Sequence, residues 1–393
     1  MSISNIIKKQ MEDSSWIRKM FEEGNKLRSI HGSENVFDLS LGNPLLEPPK
    51  EFKENLLKIM NDSQNGSHRY MPNAGFMDVR EKIAENISQE TKINFSGNEV
   101  LMTVGAAGGI NVILKSILDE NDEVIIISPY FAEYIFYIQN FNGKVIVIRS
   151  DELWNPNIEQ LRKAITNKTK ALIVNSPNNP TGAIYNESII KSIGEILSDA
   201  EIKYQNDIYL ISDEPYRKII FDDTEYPFIY KHHNNSIVAT SHSKDLGLAG
   251  ERIGYICLNP KINNKPELVD ALNFSIRTLG FVNAPALMQK VVSKIQNSSV
   301  DISIYRKKRD YLFEELTKIG YECFKPQGAF YLFPKSPYKS DEKFVEKLKE
   351  YLVLVVPGIG FGCPGYFRVS YCVEDSVLEG SIKGFKKAFE SNE

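Results

Sequence analysis

The sequence has few cysteines, no long apolar run and no excess of basic residues. Its four cysteines are widely separated, so it predicts neither a disulfide framework nor a CxxC metal pair. The longest apolar runs, such as Val124–Ile127 and Leu352–Val356, are far shorter than the roughly 20 residues that a membrane-spanning helix needs. The 47 Lys and Arg against 51 Asp and Glu give a net charge of −4, without the basic patch typical of nucleic-acid binding. We therefore expect neither a membrane protein nor a nucleic-acid-binding protein.

The N-terminal segment also lacks the continuous apolar core of a secretory signal, because Lys8, Lys9, Glu12 and Asp13 are spread among polar residues. The five histidines show no ligand spacing with acids or cysteines, so no metal site is expected. The chain has 393 residues, 42% of them hydrophobic and 25% charged, which is ordinary globular composition and long enough for two or three domains. These features predict a cytoplasmic, globular protein.

From about residue 99, short apolar runs alternate with segments of helical periodicity. This alternation predicts an α/β fold with a mostly parallel central sheet flanked by helices. Helices are expected near 108–118, 132–140, 157–165 and 187–200. The predicted strands are Glu99–Thr103, Glu123–Ile127, Lys144–Ile148, Lys170–Asn175, Ile208–Ser212, Ser236–Thr240 and Arg252–Cys257.

After about residue 285 the pattern changes to a long charged helix near 299–319, which Gly320 should end, followed by shorter strands and helices. The first 45 residues are too short to fold alone. We therefore predict three parts: an N-terminal arm (1–45) that packs on the small domain, a large domain (46–285) and a smaller α/β C-terminal domain (286–393).

Polar residues follow three of the predicted strands directly. Ser176–Gly182, with Asn179-Pro180-Thr181-Gly182, follows one strand, Asp213-Glu214-Pro215-Tyr216 the next, and Ser241-His242-Ser243-Lys244 the third, with Arg252 eight residues later. In an open parallel sheet, ligands bind outside the carboxyl ends of the strands. Each segment alone is typical of a turn, a helix cap or a solvated charge. Their order and positions together predict one ligand site.

These motifs resemble those of class I aminotransferases, which are fold-type I pyridoxal-phosphate enzymes similar to aspartate aminotransferase. The resemblance runs from about residue 38 to residue 371 and includes Asn179–Gly182, Asp213-x-x-Tyr216, Ser241-x-Ser243-Lys244 with Arg252, and Phe367-Arg368-Val369. It implies the fold-type I architecture, pyridoxal 5′-phosphate as cofactor and an amino-acid substrate. It also implies a homodimer.

The resemblance implies a catalytic role for three residues. Lys244 would form a Schiff base with the cofactor aldehyde, which requires an amine that is desolvated or near other cations. Asp213 would pair with the protonated ring nitrogen, because the ring accepts electrons only in that state. Tyr216, together with Asn179, would stabilise the phenolic oxygen as an oxyanion.

Further residues match cofactor-binding positions of the family. The phosphate would lie at the start of the helix after the first strand, where the helix dipole is positive, and where relatives often have Ser or Thr in place of Ala106 and Ala107. Phe131 matches the aromatic residue that stacks on the pyridine ring. Tyr70 matches a tyrosine that reaches the phosphate from the neighbouring subunit. The phosphate contacts would come from Gly105, Ala106, Ala107, Ser241, Ser243 and Arg252.

Substrate binding is expected to depend on Arg368, which matches the arginine that grips the α-carboxylate. An arginine fork binds a carboxylate through two hydrogen bonds, which a lysine cannot do. Asn179 and the turn around Gly42 match further contacts to the same carboxylate. The alternative interpretation of Arg368 is a surface salt bridge.

The mechanism predicted from the resemblance is transamination from an L-amino acid to a 2-oxo acid, with 2-oxoglutarate as the candidate acceptor. Lys244, once displaced by the substrate, would move the proton from the substrate Cα. Two alternatives remain. The same Lys, Asp and Arg residues would serve a pyridoxal-phosphate-dependent C–S or β-lyase, and Ser241-x-x-Lys244 matches the serine nucleophile motif of β-lactamase-like enzymes. A transcription regulator is not expected, because the roughly 45 residues before the match are too few for a DNA-binding domain and linker.

The donor is the least defined part of this prediction. Aspartate would need a second cation for its distal carboxylate, and Arg277, near Asn283-Ala284-Pro285, is the sole candidate. A solvated arginine on a helix is the simpler interpretation. Aspartate is therefore the first donor to consider, and aromatic or branched donors stay open because the chain contains 19 Tyr and 21 Phe.

Overall fold

The computed structural model describes residues 3–12, 16–62 and 67–391. Part of the predicted arm, including Asp13, lies outside the described residues. The described helices are α1 (Asn5–Glu12), α2 (Trp16–His31), α3 (Lys50–Asn61), α4 (Met77–Thr91), α5 (Gly105–Ile117), α6 (Glu133–Gln139), α7 (Ile158–Ala164), α8 (Glu187–Tyr204), α9 (Lys265–Thr278), α10 (Ala286–Lys294), α11 (Ile302–Ile319), α12 (Asp341–Glu350) and α13 (Asp375–Glu390).

The strands of the described residues form one large sheet and two small ones. They are β1 (Phe37–Asp38), β2 (Val100–Thr103), β3 (Glu123–Ser128), β4 (Lys144–Arg149), β5 (Thr169–Asn175), β6 (Tyr209–Asp213), β7 (Ser236–Ser241), β8 (Gly254–Leu258), β9 (Tyr331–Leu332), β10 (Val353–Leu354), β11 (Val356–Pro357) and β12 (Phe367–Ser370).

The large sheet has the strand order β2-β8-β7-β6-β5-β3-β4. Its pairs from β7 to β4 are parallel, whereas β8 runs antiparallel to both of its neighbours. The inner strands are buried along almost their whole length, which explains why they are continuous apolar runs in the sequence. The predicted α/β fold with a mostly parallel sheet is confirmed.

The predicted bounds of the large-sheet strands agree with the structure to within two residues. The largest difference is at β8, which begins at Gly254 and not at Arg252. Arg252 has a φ of 51°, in the left-handed region, where it ends a short 3-10 turn. An extended strand therefore cannot include it.

The C-terminal part contains an antiparallel sheet with the order β11-β12-β9 and the helices α11, α12 and α13. Helix α11 is capped by the Asp301 side chain and ends at Gly320, whose φ is 120°. The core of this part is rich in aromatic residues such as Tyr305, Phe344 and Phe385. A small α/β unit therefore forms as the sequence analysis expects.

The division into parts at residues 45 and 285 stays a prediction. It is supported at the first boundary, where β1 of the predicted arm pairs in parallel with β10. At the second boundary, α10 packs by Met288, Val291 and Val292 into the core that also contains Ile83 of α4. This packing favours a boundary after α10.

In the described part of the chain, no helix combines the length and the apolar character needed to cross a bilayer. All four cysteines are free thiols, and Cys257 and Cys372 are buried.

Candidate active site

A cavity of about 300 Å³ opens at the carboxyl ends of β5, β6 and β7. The last residues of these strands, Asn175, Asp213 and Ser241, all line it. The parallel register of the strands thus places three sequence-distant polar residues side by side. The predicted site residues that line this cavity are Gly42, Ala106, Ala107, Phe131, Asn179, Asp213, Tyr216, Ser241, Ser243, Lys244, Arg252 and Arg368.

Lys244 lies three residues after the end of β7, and its side chain is partly buried. Its Nζ donates a hydrogen bond of 2.7 Å to the Gly42 carbonyl oxygen. Burial, with smaller effects from Arg368 and Arg252, lowers the Lys244 pKa to about 8. A larger fraction of this amine is therefore neutral near neutral pH than at an ordinary lysine, which favours a role as a nucleophile or base.

The Lys244 contacts also bear on the serine-nucleophile alternative. That chemistry needs a hydrogen bond through which the lysine removes the serine proton. In the described contacts, Lys244 makes no hydrogen bond with Ser241, and its proton donation goes to Gly42. The geometry therefore does not support Ser241 as a nucleophile.

Asp213 is a buried carboxyl group, 6% exposed, at the end of β6. Its Oδ2 accepts a hydrogen bond of 2.5 Å from Tyr134 Oη, while no described residue gives its Oδ1 a hydrogen bond. Burial raises the Asp213 pKa to about 7, although the Tyr134 hydrogen bond opposes the shift. A cationic donor facing Oδ1 would stabilise the ionised form.

One wall of the cavity is the start of α5, which faces the Arg252 guanidinium. Gly105 has a φ of 81°, and a Cβ at this position would lie 2.4 Å from Arg252 Nη2. Arg252 donates to Ala249 O at 2.8 Å and lies 3.5 Å from Ser243 Oγ. The first backbone N–H groups of a helix have no partner within it, so this wall combines N–H groups, a hydroxyl and a cation. Such a set of donors suits an anion.

Gly105 itself does not line the cavity, although it was among the predicted phosphate contacts. Its role in the structure is to allow the close approach of Arg252. A Cβ on a second glycine, Gly254 of β8, would lie 3.0 Å from the Cα atoms of both Gly105 and Ser241. Because Gly105 and Gly254 have no side chains, the start of α5 can lie close to Ser241 at the end of β7.

Arg368 lies on β12 and is 2% exposed. Its Nη1 donates to Asn179 Oδ1 at 3.0 Å and its Nη2 to the Ser40 carbonyl oxygen at 2.6 Å. Its Cζ also lies 4.5 Å from the ring centroid of Tyr331. The surface salt bridge considered for Arg368 is therefore wrong, because the guanidinium is buried at the cavity wall.

The Arg368 Nε is buried and has no hydrogen-bond partner among the described residues. Leaving a charged donor unpaired in the interior is unfavourable, so such groups usually await a ligand or an ordered water. The free donor and its position on the cavity wall are suited to a carboxylate.

Tyr216 and Tyr331 form a hydroxyl pair, with their Oη atoms 2.8 Å apart. Both side chains are buried and both line the cavity. Gly42 packs against this pair so closely that a Cβ on it would lie 1.8 Å from Tyr331 Oη. Glycine is therefore required at position 42 unless Tyr331 moves.

Phe131 lines the cavity next to α6, and its ring packs edge-on against Tyr134 at a centroid distance of 5.5 Å. Its side chain is partly exposed to the cavity, which leaves ring surface for a flat ligand. The position agrees with a stacking role.

The sequence analysis missed several residues of the site. Asn175 is the last residue of β5, and its side chain donates a hydrogen bond of 2.9 Å to the Asp213 carbonyl oxygen. The sequence analysis searched the residues that follow each strand, and it missed Asn175 because it counted this residue as part of the strand. The α6 residues have apolar spacing that indicated packing only, and Tyr331 belongs to a strand of the distant C-terminal part. The missed lining residues are Ile110, Glu133, Tyr137, Asn175, Pro215, Ala249 and Tyr331, and Tyr134 contacts Asp213 from behind the wall.

Two residues of the sequence analysis lie away from the cavity. Tyr70 is 88% exposed, so it does not contribute to the cavity of its own chain. Arg277 is exposed on α9, with its guanidinium 5.3 Å from the ring centroid of Phe274. The simpler interpretation of Arg277, a solvated arginine on a helix, fits this position. Among the described residues, no cluster of acids, histidines and cysteines suits a metal ion.

Comparisons with known proteins identify similar chains. The model of the family "aminotransferase class I and II" matches residues 34–383. An aspartate/prephenate aminotransferase of Thermus thermophilus is 31% identical over 361 residues, which cover 89% of this chain and 90% of that protein.

Solved structures are similar as well. The crystal structure of an aminotransferase from Eubacterium rectale has a TM-score of 0.96 and 37% sequence identity, and the match covers 99% of both chains. The structure of Thermus thermophilus aspartate aminotransferase with maleate has a TM-score of 0.86 and 27% identity, over 99% of this chain and 100% of that chain.

Proposed function

The chain belongs to the family of class I and II aminotransferases, and we propose that its cavity binds pyridoxal phosphate between Lys244 and Asp213 to move an amino group from an L-amino acid to a 2-oxo acid. It is an amino-acid aminotransferase by family membership. Class I aminotransferases use pyridoxal phosphate. The geometry of the cavity supports the roles that we propose for the individual residues.

The observation that carries the proposal is the pair of titratable groups that face one cavity. Asp213 has a buried Oδ1 to which no described residue donates, and its pKa is raised to about 7. Lys244 has a pKa lowered to about 8. A protonated ring nitrogen would donate a hydrogen bond to Asp213 Oδ1 and would favour the ionised form of that carboxylate. The amine of Lys244, which is more often neutral than that of an ordinary lysine, is suited to attack the cofactor aldehyde. Both residues therefore fit the cofactor.

The anion-binding wall fits the other end of the cofactor. The α5 N-terminus with Ala106 and Ala107, together with Ser241, Ser243 and Arg252, would hold a phosphate by hydrogen bonds and charge. The alanines offer only backbone N–H groups there. Tyr216 and Asn179 would contact the phenolic oxygen, and Phe131 would cover a face of the ring.

When bound, pyridoxal phosphate supplies an electron sink for the pair of electrons released at the substrate Cα. Lys244 would take the proton from the substrate Cα as a general base and give it up again as a general acid. Asp213 keeps the ring nitrogen protonated, and Tyr134, through its hydrogen bond to Oδ2, orients that carboxylate. Arg368 and Asn179 hold the substrate carboxylate, so that the Cα–H bond is directed at Lys244.

The identity of the donor and the acceptor is a separate proposal. The names of the relatives make aspartate the first donor to test, and the resemblance makes 2-oxoglutarate the first acceptor. Both are dicarboxylates, which need a cation for the distal carboxylate. In the described residues, the cations that line the cavity are Lys244, Arg252 and Arg368, each of which has another proposed role.

The quaternary state and the location are also proposed. Tyr70 is exposed, which is what a tyrosine that reaches the phosphate of a partner subunit requires, so we propose a homodimer. The four free thiols suit the reducing conditions of the cytoplasm.

The test is to reduce the purified protein with borohydride and to map the labelled peptide. A pyridoxyl group on Lys244 is expected, and a label elsewhere or no label would contradict the proposal. A second measurement identifies the products with and without an added 2-oxo acid. A lyase would release pyruvate and ammonia from a cysteine conjugate without an acceptor, whereas a transaminase needs one.

A further inference from the structure

Five charged side chains line the cavity in the described part of the chain: Glu133, Asp213, Lys244, Arg252 and Arg368. The proposed function uses four of them, two for the reacting centre, one for the phosphate and one for the substrate carboxylate. Glu133 has no role in that scheme. Glu133 and Asp213 are the two acids among the described residues that line the cavity, and Asp213 is the one proposed to face the ring nitrogen.

Glu133 is the first residue of α6, two positions after Phe131. Its Oε2 is buried and has no hydrogen-bond partner among the described residues. Arg368 is near enough to lower the Glu133 pKa, against the larger effect of burial, which raises it, but no described ion pair joins the two side chains. A buried carboxylate oxygen without a protein partner is costly, so this atom is suited to a donor from a ligand or from an ordered water.

The neighbours of Glu133 show which end of the cavity it faces. Its charge acts on Arg368 and on Tyr331, both of which line the cavity. Arg368 and Tyr331 form the wall that is proposed to grip the substrate carboxylate. Glu133 therefore lies at the substrate end and not at the phosphate end, where Arg252 is located.

Among the described residues of this chain, every cation that lines the cavity already has another proposed role. The described cations that line the cavity are already engaged, Lys244 with the Gly42 carbonyl, Arg252 with Ala249 O and Arg368 with Asn179 and Ser40. A second carboxylate brought in by the substrate would meet the negative charge of Glu133. A positively charged group would meet an unpaired acceptor.

We propose that Glu133 selects donors whose side chain ends in a positively charged group, an ammonium or a guanidinium, and disfavours donors with an acidic side chain. This inference rests on the proposed function, because it concerns the substrate of the same cavity. The partner of the orphan Oε2 is then the distal cation of the amino acid. Like charges brought together in a site of this kind oppose binding, which makes aspartate and 2-oxoglutarate the poor substrates of the set.

The experiment compares donors that differ in charge and little in shape. We would measure kcat/KM of the holoenzyme for arginine against citrulline and for lysine against norleucine, with aspartate and glutamate as the acids, using pyruvate and 2-oxoglutarate as acceptors in parallel. The expected result is a preference of roughly 10- to 100-fold for the charged member of each pair, with the acids below both.

Two variants assign that preference to a residue. Glu133→Gln keeps the shape and removes the charge, so the gap between arginine and citrulline should fall to about twofold or less. Glu159→Gln, on the exposed surface of α7 and away from the cavity, is the matched control and should keep the gap. Equal kcat/KM values for arginine and citrulline in the native enzyme would overturn the proposal. So would a preference for arginine that persists in Glu133→Gln.

A binding measurement separates this inference from the proposed function. The pyridoxamine form of the holoenzyme cannot react with an amino acid, so calorimetry with arginine and citrulline reports affinity alone. The same loss of discrimination is expected in Glu133→Gln. If no donor reacts at all, the proposed function fails, while the calorimetric comparison still decides whether Glu133 recognises a cation.

Discussion

The two ends of the cavity are built in different ways. At the cofactor end, Asp213 and Ser241 are the last residues of neighbouring parallel strands, and Ala106 belongs to the first turn of α5. At the substrate end, Arg368 lies on β12 of the small antiparallel sheet, and Ser40 belongs to the segment after β1. One end is thus made by a single sheet, and the other is assembled from separate parts of the fold.

Because the two ends are built differently, substitutions at each end should act in different ways. The sheet fixes the cofactor end through many backbone hydrogen bonds, so changes there should act on the chemistry of single side chains. The substrate end depends on how segments that are distant in the sequence pack together. Substitutions there should therefore act by moving the side chains that contact the substrate. Substitutions at each end test the two expectations.

The largest effect is expected at the cofactor end from Lys244→Ala. Loss of the amine would remove the group that is proposed to hold the cofactor and to act as the general base, so kcat should fall by roughly 10³-fold or more. Steady-state kinetics and the visible absorbance band would measure this. Normal turnover in this variant would refute the assignment of Lys244.

The second effect is expected from Asp213→Asn, which should lower kcat by about 10²-fold or more because the ring nitrogen loses its ionic partner. The apoprotein should respond in the opposite direction. The folded-state pKa of Asp213 is about 7, above its ordinary value, so burial of the ionised form destabilises the apoprotein above about pH 4 and most strongly above pH 7.

Asp213→Asn should therefore raise the free energy of unfolding of the apoprotein at pH 8, by up to ~4 kcal/mol. The gain should shrink as the pH falls from about 7 and vanish below about pH 3, where the carboxyl group is protonated in both the folded and the unfolded state. Urea unfolding at several pH values measures it. An equal gain at all pH values would show that the charge is not the cause.

The third prediction concerns the substrate end. Arg368→Lys keeps the charge and removes the fork, so kcat/KM should fall roughly 30- to 100-fold, with most of the change in KM. The affinity for pyridoxal phosphate should fall less than kcat/KM, because Arg368 reaches the proposed cofactor end only through its hydrogen bond to Asn179. A large loss of cofactor affinity would show that the two ends are coupled.

A smaller effect is expected from Gly42→Ala, which tests position and not charge. The new Cβ would collide with Tyr331 Oη, so the hydroxyl pair with Tyr216 should break and stability should fall by about 1–3 kcal/mol. The double variant with Tyr331→Phe removes the colliding oxygen and should recover part of that stability. No recovery would place the strain elsewhere in the segment.

The smallest effect is expected from Ala107→Ser at the start of α5. A hydroxyl added to the anion-binding wall should tighten pyridoxal phosphate binding by roughly two- to tenfold, the range of one extra hydrogen bond. Equilibrium binding of the cofactor to the apoprotein measures it, with KM for the donor as the control. A change in KM alone would contradict the division of the cavity into two ends.

The comparison also explains how much of the site could be predicted from the sequence. Asp213, Lys244 and Asn179 follow buried parallel strands, so the βα pattern was enough to bring them together. Tyr134, Tyr137 and Glu133 lie on α6, where the spacing of Tyr and Ile side chains is also that of a packed helix. Their role depends on how α6 is oriented, which local periodicity does not determine.

The strands of the large sheet could be predicted from the sequence, whereas contacts between distant segments could not. The large sheet was identified to within two residues per strand, because its buried strands are continuous apolar runs. The neighbours of Arg368 were not identified, since Ser40 and Tyr331 are 328 and 37 residues away from it along the chain. The role proposed for Tyr70 involves a second chain, which the periodicity of one sequence does not place.

The antiparallel direction of β8 has a consequence for engineering. Ser241 and Gly254 are paired across β7 and β8, so the segment between them leaves and rejoins the sheet at one point. That loop carries both Lys244 and Arg252. A chimera that exchanges residues 241–254 with the corresponding loop of a relative would transfer the proposed covalent anchor, Lys244, and the proposed phosphate-binding cation, Arg252, together. The residues proposed to recognise the amino acid would remain those of the recipient.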